Sequence, residues 1–145
     1  MAGSKVWLHI HEGALTCLCS KELVELLIEY GAEINSPPAE KFGATALQFA
    51  AIGGYIGIAF VLLGHEADVN APPARSEGRT ALEGAAEHGR TDMVQILLNS
   101  GCIITGDGQE QYERALERAS ENGHHAVRKL LEGHYAQYYA DPTNS

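Results

Sequence analysis

The segment Gly43-Ala-Thr-Ala-Leu-Gln-Phe-Ala-Ala-Ile-Gly-Gly54 returns 35 residues later as Gly78-Arg-Thr-Ala-Leu-Glu-Gly-Ala-Ala-Glu-His-Gly89. Self-similarity at a period of about 20–50 residues restricts a chain to stacked-repeat architectures. Such arrays bury a continuous core between neighbouring units and bind through an extended surface, so an enclosed catalytic pocket is unexpected. The period extends beyond the motif. Pro37-Pro38-Ala39 recurs as Pro72-Pro73-Ala74, and Leu62-Leu63 recurs as Leu97-Leu98 and steps back to Leu27-Ile28. Gly31-Ala-Glu-Ile-Asn35 returns as Glu66-Ala-Asp-Val-Asn70. A third copy, one residue shorter, places Ala115-Leu116 and Ala119-Ser-Glu-Asn-Gly123 34 residues after their counterparts.

Each unit reads as helix, tight turn, helix and finger loop. Thr45 and Thr80 are placed to cap a first helix, their hydroxyls satisfying an orphan N–H of the first turn. Leu47, Ala50 and Ala51, and likewise Leu82, Ala85 and Ala86, recur at helical spacing and mark a core face. Gly53-Gly54 and Gly89 end that helix where a left-handed residue is needed. Ile58, Val61 and Leu62, then Val94, Leu97 and Leu98, give the buried stripe of the second helix, with Thr91 a candidate cap. Gly57 and Gly84 fall inside helices, which implies close packing or a soft second repeat. Asp107-Gly-Gln-Glu110 predicts a capping-box start to the fourth unit, with Glu110 and Arg114 paired one turn apart. Its second helix spans about His125 to Tyr139, and Tyr135, Tyr138 and Tyr139 are expected to cover the last apolar face. At the other end Ser20 to Gly31 reads as a second helix. Its partner falls near Val6 to Leu18, where no Thr-Ala-Leu occurs.

These residues resemble the ankyrin-repeat family: Gly-x-Thr-Ala-Leu-x-x-Ala-Ala-x-x-Gly, a Leu-Leu pair, then Gly-Ala-x-x-Asn. The resemblance covers about Ser20 to Leu131. The wording of the repeats is similar to that in many fungal ankyrin proteins. It implies an all-α ankyrin-repeat solenoid, a single domain over 1–145. The divergent first repeat spans 1–35, and repeats 2 and 3 span 36–70 and 71–105. Repeat 4, with an extended C-terminal helix, spans 106–145. The family's pattern often has proline after the Thr, where Ala46 and Ala81 stand here. It often has histidine after the Thr-x-Leu, where Gln48 and Glu83 stand, and this places the usual hydrogen-bond network between repeats in doubt.

Net charge is −9, from 19 acidic and 10 basic residues. That disfavours nucleic acid, whose binding rests on Lys and Arg neutralising phosphates, and anionic membrane surfaces. It suits a protein partner with a basic patch. No apolar run approaches the roughly 20 residues that span a bilayer. Cys17, Cys19 and Cys102 cannot all pair, which suits a reducing, cytoplasmic setting.

Sites of chemistry are scarce in this pattern. No phosphate-binding glycine loop or nucleophile elbow occurs, and no cofactor is expected. His9, His11, Cys17 and Cys19 lack metal-site spacing, so no metal is expected either. Paired carboxylates such as Glu83 with Glu87 read as a solvated acidic face, because acid–base work needs an enclosed cleft. The resemblance implies a partner lying across the concave face and finger tips. The repeat register then offers Phe42, Arg75, Arg79 and Tyr112 on fingers and Gln48, Ile52, Glu83, Glu87 and Glu117 on first helices. Tyr55, His88, Arg90 and His124 fall on the rim, where Tyr55, Arg90 and His124 form one column. A protein-interaction module is the leading reading. A ligand-binding or catalytic protein on the same scaffold, and a self-assembling fragment dimerising through its termini, are the alternatives.

Overall fold

The computed structural model describes residues 20–38, 40–41 and 43–144. Among them are seven α-helices and no strand: α1 (Lys21–Glu29), α2 (Ala46–Gly53), α3 (Ile56–Gly64), α4 (Ala81–Glu87), α5 (Thr91–Asn99), α6 (Gln109–Glu121) and α7 (His125–Ala140). Three helical hairpins, α2–α3, α4–α5 and α6–α7, follow α1. The inner helices α2, α4 and α6 stack on one another in order, and in the outer layer α1 packs on α3 and α5 on α7. This is the two-layer, all-α solenoid that the repeat implied. The helix expected near Val6 to Leu18 lies outside the described residues.

Small side chains let the inner layer close. Ala50, Ala51, Ala85, Ala86, Ala115 and Ala119 are all buried, so neighbouring helix backbones can approach closely. Leu47, Leu62, Leu82, Met93, Leu97 and Leu131 fill the space between layers, each contributing about 1.5–3 kcal/mol by burial. Gly84 marks a close approach of α4 to α2, since a Cβ there would lie 2.5 Å from Ile52 Cγ1. Gly57 has only Lys21 Cδ nearby, at 3.9 Å, so close packing does not explain it. The outer layer is looser at this point. α3 and α5 share little contact and flank a cleft of about 320 Å³ lined by Gly54, Ile56, Arg90 and Thr91 among others.

The turns repeat as the sequence does. Tyr55, Arg90 and His124 donate their N–H groups to Ala50, Ala85 and Ala119 carbonyls at 2.9, 2.9 and 2.8 Å. These three residues are the N-caps of α3, α5 and α7 and offer no side-chain cap. Thr91, expected as a cap, is instead the first residue of α5.

The finger loops are tied by asparagine. Asn35 Oδ1 accepts from Asp68 N at 2.7 Å while its Nδ2 donates to Glu66 O at 3.0 Å. Asn70 repeats both bonds with Ile103 N and Gly101 O, at 2.9 and 3.1 Å. Ser76 N also donates to Glu40 O at 3.1 Å, joining the fingers of the second and third repeats.

The fourth repeat departs from the others. Gly106–Gly108 forms a 3₁₀ turn, and α6 begins at Gln109 with Gly108 as an N-cap that has no side-chain bond. The expected capping box is not made. A Cβ on Gly108 would lie 2.0 Å from Ile103 O, so only glycine allows this entry. α6 therefore starts before Arg114, the counterpart of the capping Thr80. Its extra turn carries Tyr112 inward onto Tyr135, with ring centroids 4.5 Å apart. Tyr135 is half-buried and completes that cover, whereas Tyr138 and Tyr139 stay exposed.

Candidate functional site

Equivalent positions in successive repeats have different fates. At the second repeat Thr45 Oγ1 accepts from Gln48 N, and Gln48 Oε1 accepts from Thr45 N at 2.9 Å, a complete capping box. The Gln48 amide also donates to Ala71 O and Pro72 O, both at 3.0 Å. Gln48 is thus a buried strut to the next finger, not a partner-facing residue. It restores the inter-repeat network that the missing histidine had placed in doubt.

Glu83 occupies the same place one repeat on, and its side chain is 1% exposed. It does not belong to a solvated acidic face, and a partner cannot reach it while the surrounding side chains hold their places. Arg118 Nε lies 3.8 Å from Glu83 Oε2 and Arg114 Nη1 lies 4.0 Å from Oε1, both too long for hydrogen bonds. Glu83 Oε1 and Arg118 Nε are buried without a hydrogen-bond partner. Burial raises the Glu83 carboxyl above its ordinary value, against the opposing charges of Arg118, Arg114 and Arg79.

Glu87, one turn further along α4, behaves oppositely. Its Oε2 accepts from Arg79 Nε at 2.6 Å and from Arg118 Nη1 at 3.3 Å. Burial raises its carboxyl, but the hydrogen bond and charge of Arg79, with Arg118 and His88, outweigh that and hold it below the usual range. Arg79 Nη1 also donates to Glu77 O and Gly78 O of its own finger. The carboxylates of α4 at i and i+4 thus face guanidiniums of α6 at i and i+4. Sequence reasoning missed Arg114 and Arg118, although their spacing on the helix stacked against Glu83 and Glu87 was a usable signal. Arg114 also bonds Glu110, the pair that the spacing predicted.

The expected column forms and serves the fold as well as the rim. Arg90 lies over Gly54 and donates from Nε to Ile52 O at 3.3 Å. His124 lies over Gly89, with Nε2 3.0 Å from Glu87 O. Tyr55 crosses Gly53 and is half-buried. His88 is exposed, with Nδ1 3.0 Å from Gly84 O. Of the remaining candidates, Arg75 and Glu117 are exposed and Ile52 is half-buried. Tyr112, 6% exposed, is excluded from any finger surface because α6 has taken it into the core. Phe42 lies outside the described residues.

The family model for ankyrin repeats, described as three copies, matches residues 9–73 and 72–143. The chain belongs to the ankyrin-repeat family. A search of the curated proteins found no match. Ankyrin repeats are generally protein-interaction modules, and their partners are proteins. In this ankyrin array no helix among the described residues is long and apolar enough to cross a membrane. No three His, Cys, Asp or Glu side chains among the described residues gather to hold a metal, while His9, His11, Cys17 and Cys19 lie outside them. Cys102 is a free, buried thiol that burial pushes up to about 12, which makes it a poor nucleophile.

Proposed function

We propose that this ankyrin domain binds a basic protein across the face formed by its inner helices and finger loops. The observation that carries this reading is the cleft between the third finger and α6. Its lining includes the carboxylates of Glu83, Asp107 and Glu110 against the single guanidinium of Arg114. Ile52, Arg75, Glu87 and Glu117 on the helices and finger, with Tyr55, His88, Arg90 and His124 on the rim, supply the surrounding contacts. The whole chain's charge of −9 draws such a partner in over a Debye length of about 10 Å at 0.1 M salt. A reducing, cytoplasmic setting and a kinship with fungal ankyrin repeats belong to the same reading. The test is capture of protein partners on the immobilised chain at low and high salt, with a Glu117→Lys, Glu110→Lys variant beside it. A stoichiometric partner lost at high salt and by the double reversal supports the reading. A partner indifferent to both moves binding to another face.

A further inference from the structure

The cleft beside α6 presents acceptors that the chain does not satisfy. It has a volume of about 400 Å³, and Pro72, Pro73, Glu83, Asp107, Gln111 and Arg114 are among its lining residues. Glu83 is almost wholly buried and its Oε1 receives no hydrogen bond. Gln111 Nε2 donates to Ile103 O at 2.6 Å and Asn70 Oδ1 at 3.3 Å, which fixes the amide orientation. Its Oε1 is then buried and without a donor as well. Two buried acceptors therefore line one cleft, although buried acceptors in folded proteins are normally paired. In the preceding repeat the same position is satisfied internally through the amide of Gln48.

Arg114 covers the site without filling it. Its Nη1 stays 4.0 Å from Glu83 Oε1, its Nη2 is committed to Glu110, and its side chain is 47% exposed. A half-exposed side chain can swing outward without disturbing the core. Glu83 Oε2 already faces Arg118 Nε at 3.8 Å, so the carboxylate has one free edge and not two. A guanidinium seeks both oxygens in a fork, whereas an ammonium is a compact charge with three rotatable donors.

We propose that this cleft is the seat of a lysine side chain of the partner. Its ammonium replaces Arg114 against Glu83 Oε1 and takes Gln111 Oε1 as a second acceptor. This rests on the reading of the domain as a binder of basic proteins and names the group it grips.

The experiment is an NMR titration of the isotope-labelled full chain with tetralysine and, separately, tetra-arginine. We expect tetralysine to shift the Glu83 carboxyl carbon and the Gln111 side-chain amide in a saturable way. Affinity should fall about tenfold, equivalent to about 1.4 kcal/mol, in Glu83→Gln and rise in Arg114→Ala, which removes the internal competitor. Tetra-arginine should bind the cleft more weakly. Shifts spread evenly over the acidic surface, equal affinity in Glu83→Gln, or equal binding of tetra-arginine would overturn the assignment. The amide spectrum of Glu83→Gln away from the cleft checks that it is folded. A captured partner that ignores Glu83→Gln sinks this inference and leaves the functional reading standing. Tetralysine seated in the cleft with no basic protein captured does the reverse.

Discussion

The second and third repeats share a Thr-Ala-Leu, Ala-Ala and Leu-Leu framework, yet the buried residue that follows Thr-Ala-Leu is Gln48 in one and Glu83 in the other. Gln48 supplies both a donor and an acceptor, and each finds a backbone partner. Glu83 supplies only acceptors when ionised, and the two arginines that face it from α6 stand beyond hydrogen-bond reach. The neutral amide welds its repeat to the next finger. The carboxylate makes no such weld and stands beside an open cleft, where alanine packing and the Glu87–Arg118 hydrogen bond join α4 to α6. One atom's difference, oxygen for nitrogen, separates a structural strut from a site with unmet hydrogen-bonding capacity.

The sharpest way to break this contrast is Gln48→Leu, which keeps the volume and removes both hydrogen-bonding functions. Thr45 N–H loses its partner, as do two carbonyls, at about 1–3 kcal/mol for each group that stays buried. Chemical denaturation should show a loss of about 3 kcal/mol or more, and a loss below about 1 kcal/mol would mean that water replaces the strut. Next comes Gly84→Ala, whose Cβ would meet Ile52 Cγ1. It should cost about 1–3 kcal/mol through overpacking between α2 and α4, and calorimetry on the variant would read it. Gly57→Ala is its counterpart in the second repeat, an open helical position that should gain about 0.5–1 kcal/mol. An equal response at the two glycines would refute the difference in packing.

Glu83→Gln should convert the third repeat toward the second and raise stability at neutral pH, because burial disfavours the charged carboxyl that it removes, measured by urea unfolding. Linkage gives this variant a pH signature. The folded state holds the Glu83 proton more tightly than the unfolded chain does. The Glu83 contribution therefore falls as pH rises from the unfolded carboxyl value of 4.5 through the raised folded one. Glu87 has the opposite sign. Its stabilisation is present above the unfolded value and is lost as pH falls through its lowered folded value. The smallest expected effect is thus a change of slope. Stability curves of Glu83→Gln and Glu87→Gln should depart from wild type in opposite directions across acid pH, and departures of the same sign would contradict the assignment.

Much of this architecture was legible from the chain. The period, the capping threonines, the alanine face and the turn glycines act within a few residues of themselves, and each did what its spacing implied. Gln48, Glu83 and Tyr112 were misplaced because their burial is decided by the neighbouring repeat. Gln48 is buried by a finger 23 residues away in sequence. Tyr112 is drawn in because α6 begins early, and that depends on Gly108 fitting against Ile103 O. Arg114 and Arg118 were passed over because the register compared like positions, whereas ion pairs join unlike ones across the stack. The column of Tyr55, Arg90 and His124 was found because like positions do stack, but the bonds of Arg90 and His124 to the preceding repeat could not be read from register alone.

The asparagines at the base of the fingers have a mechanical meaning. Asn35 and Asn70 each grip the following unit by two hydrogen bonds, as a rivet joins overlapping plates. Thr105, at the next step of the period, has no amide to continue the row. Under tension the two riveted seams share one geometry, while the last seam is held by different side chains, Gln111 on Ile103 O, Arg118 on the Glu87 carboxylate and His124 beside Glu87 O. Stretching single molecules should therefore produce rupture events of unequal force, and Asn70→Ala should lower the force at one seam and leave the other unchanged.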